Sequence, residues 1–445
     1  MTSARKRLAS SVFLASLILS FFVSDAHAIP AFARKYGLRC SACHEAWPML
    51  NYFGQKFKDN GYQLMNDRDA PIWQNNGYWP VTMRITPSWH RESTDKVAVD
   101  QAPTGQQQIT AHGFDVGGLD ILSGGTLDKN ISFLFVLSSD ENAQFHFESV
   151  NARLDNLFGS PWLNVKMGKF ELDNIVSEKR GLTLSADGGG FQLYHFIPVG
   201  DNNVFGQIGD NQFGLEWMGH SANDRTRLSA ALLSTTDGNV DLPGSNSYSG
   251  FFAGSQAFEA GKLGTQRVGF YAMIGQAPTN FLTSGGPDFP IAGGGFGNKS
   301  FSREGFTGIF YLKKLDFQVV TQHGSDNAYF ATSSSVGGPT PLPTGARSAV
   351  WNGAFVETHY VYSPQLIFIQ RSEWLRMSQQ AIPGTASNLG NIDNYVFGYR
   401  YMPFMTSRAG FAWHNEYSWI RQRGTAPDGT DLTSSSLMLG FDFDF

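Results

Sequence analysis

Cysteine is almost missing from this chain: 445 residues carry two. So few thiols leave one place where cysteine chemistry can occur. Charge is scarce as well, at 16% of residues. It leans negative, with a formal net charge of -5, which excludes the basic surface that nucleic-acid binding requires. Beyond the N-terminus no apolar run approaches the roughly 20 residues of a membrane helix. Spanning helices are therefore excluded there. What the chain has in quantity is glycine (49), phenylalanine (37) and aromatic residues in general (14%). With no long apolar runs, that mixture suggests alternating strands. The length suits either two domains or one large barrel.

Both cysteines fall inside Cys40-Ser41-Ala42-Cys43-His44. The C-x-x-C-H spacing is that of a c-type haem attachment site. Two thiols a helical turn apart meet the two vinyl groups of one haem, and the adjacent His44 turns its imidazole to the iron as proximal ligand. A structural zinc site needs four ligands, and no second C-x-x-C or paired histidine cluster completes one. A redox disulfide would not require the histidine, and no βαβ pattern surrounds it.

Residues 1–28 read as a secretory signal, with Arg5, Lys6 and Arg7 ahead of the apolar stretch from Leu8 to Val23. Ala26-His27-Ala28 fits the small-x-small cleavage rule. Cleavage there takes the net charge from -5 to -7 by removing three positive charges and Asp25. Residues 29–65 read as a very small α-helical monohaem cytochrome c domain. Pro48 suits the first turn of a helix, with Met49, Leu50, Phe53 and Phe57 on one face and Gly61 as its stop. So short a segment buries little core of its own, and the haem must supply much of it. Met65 is placed to return to the distal face of the iron; read blandly, it is a methionine of the linker that follows. Residues 66–79 form that linker.

From Pro80 to residue 445 the pattern has period two. In the last segment Leu437, Leu439, Phe441, Phe443 and Phe445 alternate with Met438, Gly440, Asp442 and Asp444. Phe411, Trp413, Tyr417 and Trp419 alternate with Ala412, His414, Glu416 and Ser418, and Val268, Phe270, Ala272 and Ile274 mark a further strand. About sixteen strands are predicted, over 80–90, 108–122, 130–138, 144–154, 162–171, 211–220, 226–235, 250–259, 266–276, 304–313, 314–323, 350–362, 365–377, 392–402, 408–421 and 434–445. Every second connection is short, as at Lys313-Lys314 and Ser363-Pro364. The others (91–107, 172–210, 277–303, 324–349, 378–391 and 422–433) are longer. Short periplasmic turns opposite longer outer loops are the habit of outer-membrane barrels. The fold class expected is mainly β: an antiparallel barrel preceded by the small haem domain. Asp442, Asp444, Glu416 and His414 would face its lumen as ordinary solvation. His90, His112, His195, His323 and His359 lack ligand spacing.

Ala31-Phe32-Ala33-Arg34-Lys35-Tyr36-Gly37, then Cys40-x-x-Cys43-His44, Pro48-x-Leu50, Phe53-Gly54, Phe57-Lys58 and Gly61-Tyr62, resemble the N-terminal region of the fused outer-membrane cytochrome–porins of iron-oxidising bacteria. The resemblance is specific over residues 29–65 and beyond residue 80 rests on length, strand pattern and the terminal Phe445. It implies one covalent haem c at the periplasmic end of, or inside, a sixteen-stranded barrel set in outer-membrane lipid. It further implies electrons taken from an extracellular donor, ferrous iron foremost, and passed to periplasmic carriers such as soluble cytochromes. Two other classes stay open. One is a passive porin with a haem plug, and the other is a haem enzyme with an open coordination site.

Overall fold

The computed structural model describes residues 31–46, 49–64, 69–74, 80–99, 105–139, 144–178, 181–183, 192–196, 208–234, 248–278, 298–328, 330, 344–381, 391–405 and 410–444. The N-terminal segment contributes short elements: α1 (Ala31–Tyr36), α2 (Cys40–Cys43), β1 (His44–Ala46), β2 (Met49–Leu50) and α3 (Tyr52–Asp59). The wall follows as β3 (Val81–Ala98), β4 (Gln106–Asp128), β5 (Ile131–Ser139), β6 (Phe145–Leu154), β7 (Asn164–Phe170), β8 (Gln212–His220), β9 (Thr226–Ser234) and β10 (Tyr248–Glu259). It is completed by β11 (Thr265–Pro278), β12 (Asn298–Leu312), β13 (Leu315–Asp326), β14 (Ala349–Ser363), β15 (Leu366–Gln379), β16 (Ile392–Met405), β17 (Gly410–Gln422) and β18 (Leu432–Asp444).

These sixteen strands form a closed antiparallel barrel. Each pairs with its neighbours in the chain, and β18 closes on β3 through pairs such as Leu439 with Trp89. Closure satisfies every strand edge, the condition for placing a sheet in lipid. The alternation sorts side chains as the sequence predicts. On β17, Ala412, His414, Glu416 and Ser418 are buried while Trp413 and Tyr417 are exposed outward. On β18, Asp442 and Asp444 are buried while Leu439 and Phe441 are exposed. At one end the links are tight. Lys129-Asn130 and Lys313-Lys314 turn the chain in two residues, and Asn130 and Lys313 take left-handed backbone at φ 61° and 60° to do so.

The predicted strands all exist, but several run further. β3 continues to Ala98 and β12 starts at Asn298, inside segments expected to be loops. Arg91–Ala98 carries polar groups on both faces, so no alternation marks it. A larger correction concerns 172–210, expected as an outer loop. Its described parts fold into the lumen, because Leu182, Leu193, Tyr194 and Phe196 are apolar and bury against the inner wall. The Leu182 and Leu193 amides donate to the carboxylates of Glu357 (3.3 Å) and Glu373 (2.6 Å). Tyr194 packs edge-on to Phe355, and Phe196 to Trp351. The lumen is therefore only partly polar.

The N-terminal segment also lies inside, at the short-turn end. The Ala31 amide donates to Thr82 Oγ1 on β3, and Lys35 Nζ donates to Thr126 Oγ1 on β4. Arg227 of β9 pairs with Asp59 at 3.1 Å. On the facing wall Met49 accepts from Gln318 of β13 and packs with Ile367, Ile369 and Met402. Partners on so many strands around the circumference place the segment within the ring. Residues 31–64 thus do not stand apart as a unit of their own. Phe32, Tyr36, Phe57 and Tyr62 make a small aromatic cluster sealed against Leu134 of β5.

Candidate functional site

The motif residues are set by a short chain of local causes. Cys40–Cys43 forms a single helical turn, and His44 leaves it in extended conformation (φ -119°, ψ 142°). Asn51 ties this turn to the next helix. Its Oδ1 accepts from the Gly54 amide as the N-cap of α3, and its Nδ2 donates to the carbonyls of Ala42 (3.0 Å) and Ser41 (3.3 Å). The Asn51 amide donates to the Cys43 carbonyl at 2.9 Å. α3 begins at Tyr52, later than predicted, and Met49 and Leu50 pair as a strand with the His44–Ala46 segment. The predicted apolar stripe holds for Phe57, which is buried, but Phe53 is exposed. Gly61 ends the helix with φ +71°, as expected of a stop signal.

Gly54 is there for space. A Cβ on it would stand 2.0 Å from the Cys43 carbonyl oxygen and 2.8 Å from its carbon. Backbone on both sides cannot step aside cheaply, so Gly54→Ala should cost about 1–3 kcal/mol, as overpacking does. The measurement is amide hydrogen exchange over residues 40–59, which should quicken while the β-wall exchanges as before. Unchanged exchange would mean that α3 and the cysteine turn do not lie this close.

Cys40, Cys43 and His44 line one cavity of about 470 Å³, a size usual for small-molecule and cofactor sites. Apolar groups supply much of its wall, among them Phe32, Leu50, Phe57, Leu134, Phe170 and Met402. Arg84, Arg153, Lys58 and Lys166 add positive charge, and Glu178, Asp442 and Asp444 add negative. Most of these charges are already matched. Arg84 pairs with Asp442 at 3.1 Å, Arg153 with Asp155 at 2.8 Å and Lys58 with Glu171 at 3.0 Å. Burial, helped by the Asp444 carboxylate, pushes the Cys40 thiol up to about 12, and burial pushes Cys43 up to about 11. Both shifts favour the thiol over the more nucleophilic thiolate. Glu45 is pushed up to about 7 by burial and by Asp316, with which it shares a hydrogen bond.

The structure brings Cys40, Cys43 and His44 together at one cavity; Met65 lies outside the described residues. Asp442 and Asp444 also reach this cavity, but Asp442 is held by Arg84 and Arg400 rather than solvated. His414 is buried against Glu416 at 2.5 Å. His359 is buried between Asp316 (2.5 Å) and Glu357 (2.7 Å). His195 is different: it lines the same cavity as the motif, with Nε2 2.7 Å from Glu178. Sequence spacing could not find it, since the segment that carries it had to turn inward first.

No family model matches this chain, and no curated protein does. Solved structures do. The outer membrane channel DcaP of Acinetobacter baumannii is 10% identical, with 82% of this chain and 97% of that one covered and a TM-score of 0.50. The anion-selective porin from Comamonas acidovorans is 10% identical over 82% and 99% of the two chains, with a TM-score of 0.49. OmpF of Salmonella typhi is 9% identical over 82% and 97%, with a TM-score of 0.47. At such identity the likeness is one of fold: the wall of this chain is a porin-like, sixteen-stranded β-barrel.

Proposed function

We propose that this chain is an outer-membrane barrel protein carrying one haem c on Cys40 and Cys43, through which electrons from extracellular ferrous iron reach periplasmic carriers such as soluble cytochromes. The observation that carries the reading is the C-x-x-C-H turn facing a mostly apolar cavity within the lumen. The residues fit the group. Two thiols and an imidazole stand at one wall, and aromatic and aliphatic side chains would cover the ring faces. When bound, the haem supplies a one-electron couple that protein side chains lack.

The chain's own residues do the rest. His44 would hold the iron from its extended position beside the cysteine turn, and Asn51 fixes that turn to α3. Leu50, Phe57 and Leu134 exclude water from the cavity. An export signal puts the thiols where haem attachment takes place. The outward apolar and aromatic side chains of the strands, including Phe270, Phe397, Trp413 and Phe441, form the lipid-facing surface, in keeping with an apolar band about 25 Å tall.

A second reading is favoured by the wall itself, since the barrel is porin-like: a channel whose N-terminal segment serves as a plug. The two readings separate in liposomes that enclose an oxidised soluble cytochrome, with the protein in the bilayer and ferrous citrate outside. Electron transfer predicts reduction of the enclosed cytochrome with the wild type and none with His44→Ala. A channel alone predicts equal reduction with both, by iron leaking inward, together with ion conductance across planar bilayers.

A further inference from the structure

We infer that His195 supplies the second protein ligand to the haem iron, an assignment that rests on the haem reading above. Among the described residues His44 and His195 are the histidines that line the cavity. They come from unrelated elements: His44 from the N-terminal segment, and His195 from a four-residue helical turn, Gln192–His195, in the inward-folded connection. The burial of Leu193 and Tyr194 (0% and 2% exposed) anchors that turn. The His195 ring is left 39% exposed at its end, whereas the His359 and His414 rings are 1% and 3% exposed.

The surroundings of the ring suit ligation. Glu178 Oε2 lies 2.7 Å from Nε2 and Asp210 Oδ2 lies 3.9 Å from Nδ1. With Nδ1 turned to the iron, Nε2 keeps the Glu178 carboxylate at 2.7 Å, the arrangement that orients an imidazole ligand and raises its basicity. Methionine is the rival donor. Met402 lines the cavity, but its side chain is packed into the apolar cluster of Ala46, Met49, Leu182 and Ile367. Met65, the distal ligand expected from sequence, lies outside the described residues. The two assignments differ in the spectrum they require.

The test uses the haem-loaded, full-length protein in detergent. With His195 ligated, the wild type is low-spin in both oxidation states, lacks the methionine-to-iron absorption band, and does not bind carbon monoxide when reduced. His195→Ala should keep the haem stain after denaturing electrophoresis, become high-spin, and bind carbon monoxide. His195→Met should return to low spin, gain the methionine band, and show a raised reduction potential; this variant decides the matter if His195→Ala does not assemble. A His195→Ala protein that stays low-spin and inert to carbon monoxide overturns the inference, as does a methionine band in the wild type lost in Met402→Ala or Met65→Ala. A wild type with no covalent haem would instead sink the reading on which the inference rests.

Discussion

Replacing both thiols, Cys40→Ser with Cys43→Ser, is expected to remove all covalent haem while leaving the barrel assembled. The motif sits on one helical turn in the lumen, and neither cysteine belongs to the sixteen-stranded wall. Serine is close to cysteine in volume, so the turn, its Asn51 ties and the approach of Gly54 should persist. After boiling in detergent the wild-type band should stain for haem, and the double variant should not. Before boiling, both should run at the fast position of a folded barrel. Single variants should keep one thioether bond and partial stain. A double variant that still stains would show haem bound elsewhere, and a wild type that loses its stain on acid-acetone extraction would show haem held without covalent bonds.

The second large effect is expected at Arg153. Its side chain is 2% exposed and pairs with Asp155, which is fully buried. It also donates to the Lys58 carbonyl at 2.7 Å and the Asp59 carbonyl at 3.1 Å, the last turn of α3. One guanidinium thus fastens the end of that helix to β6. Its guanidinium carbon also stands 5.5 Å from the centre of the Tyr62 ring. Arg153→Met keeps the apolar stem but leaves Asp155 buried without its cation. Breaking such a pair costs about 3–5 kcal/mol. The wall is held by strand pairing around the whole ring, so the loss should fall on the N-terminal segment. Amides of Tyr52–Asp59 should exchange roughly a hundredfold faster or more, and a protease added from the short-turn side should cut there. Equal protection in variant and wild type would mean that the segment is not anchored through β6.

Much of the wall was legible in the sequence because a barrel side chain has two destinations only. On β18, lipid takes Leu439 and Phe441 while the lumen takes Asp442 and Asp444, so period two writes the strand directly. The signal fades where both faces meet polar surroundings, as along Arg91–Ala98, where polar residues fall on both faces of the strand. It misleads where an apolar connection has a third destination. Leu182, Leu193, Tyr194 and Phe196 fill the lumen, and nothing in their spacing separates an inward connection from an outward one. The cysteine turn was legible because Cys40, Cys43 and His44 lie within five residues, so one helical turn sets them side by side. His195 was not, because its place beside the motif follows from that inward fold. α3 starts later than Pro48 suggests for a local reason: Asn51 is a better N-cap than the residues around Pro48, and Met49 and Leu50 are drawn into pairing with the strand that carries His44.

What fills the cavity bounded by Cys40, Cys43 and His44 decides between electron transfer and a plain channel. The most direct measurement is an experimental density map of the protein purified from an outer membrane in which haem c is made. The account predicts a flat tetrapyrrole inside the barrel at the short-turn end, with density continuous to both sulfur atoms and the His44 ring at its iron. A map with the wall and residues 31–64 well ordered, both thiols free and no such density between them would contradict it.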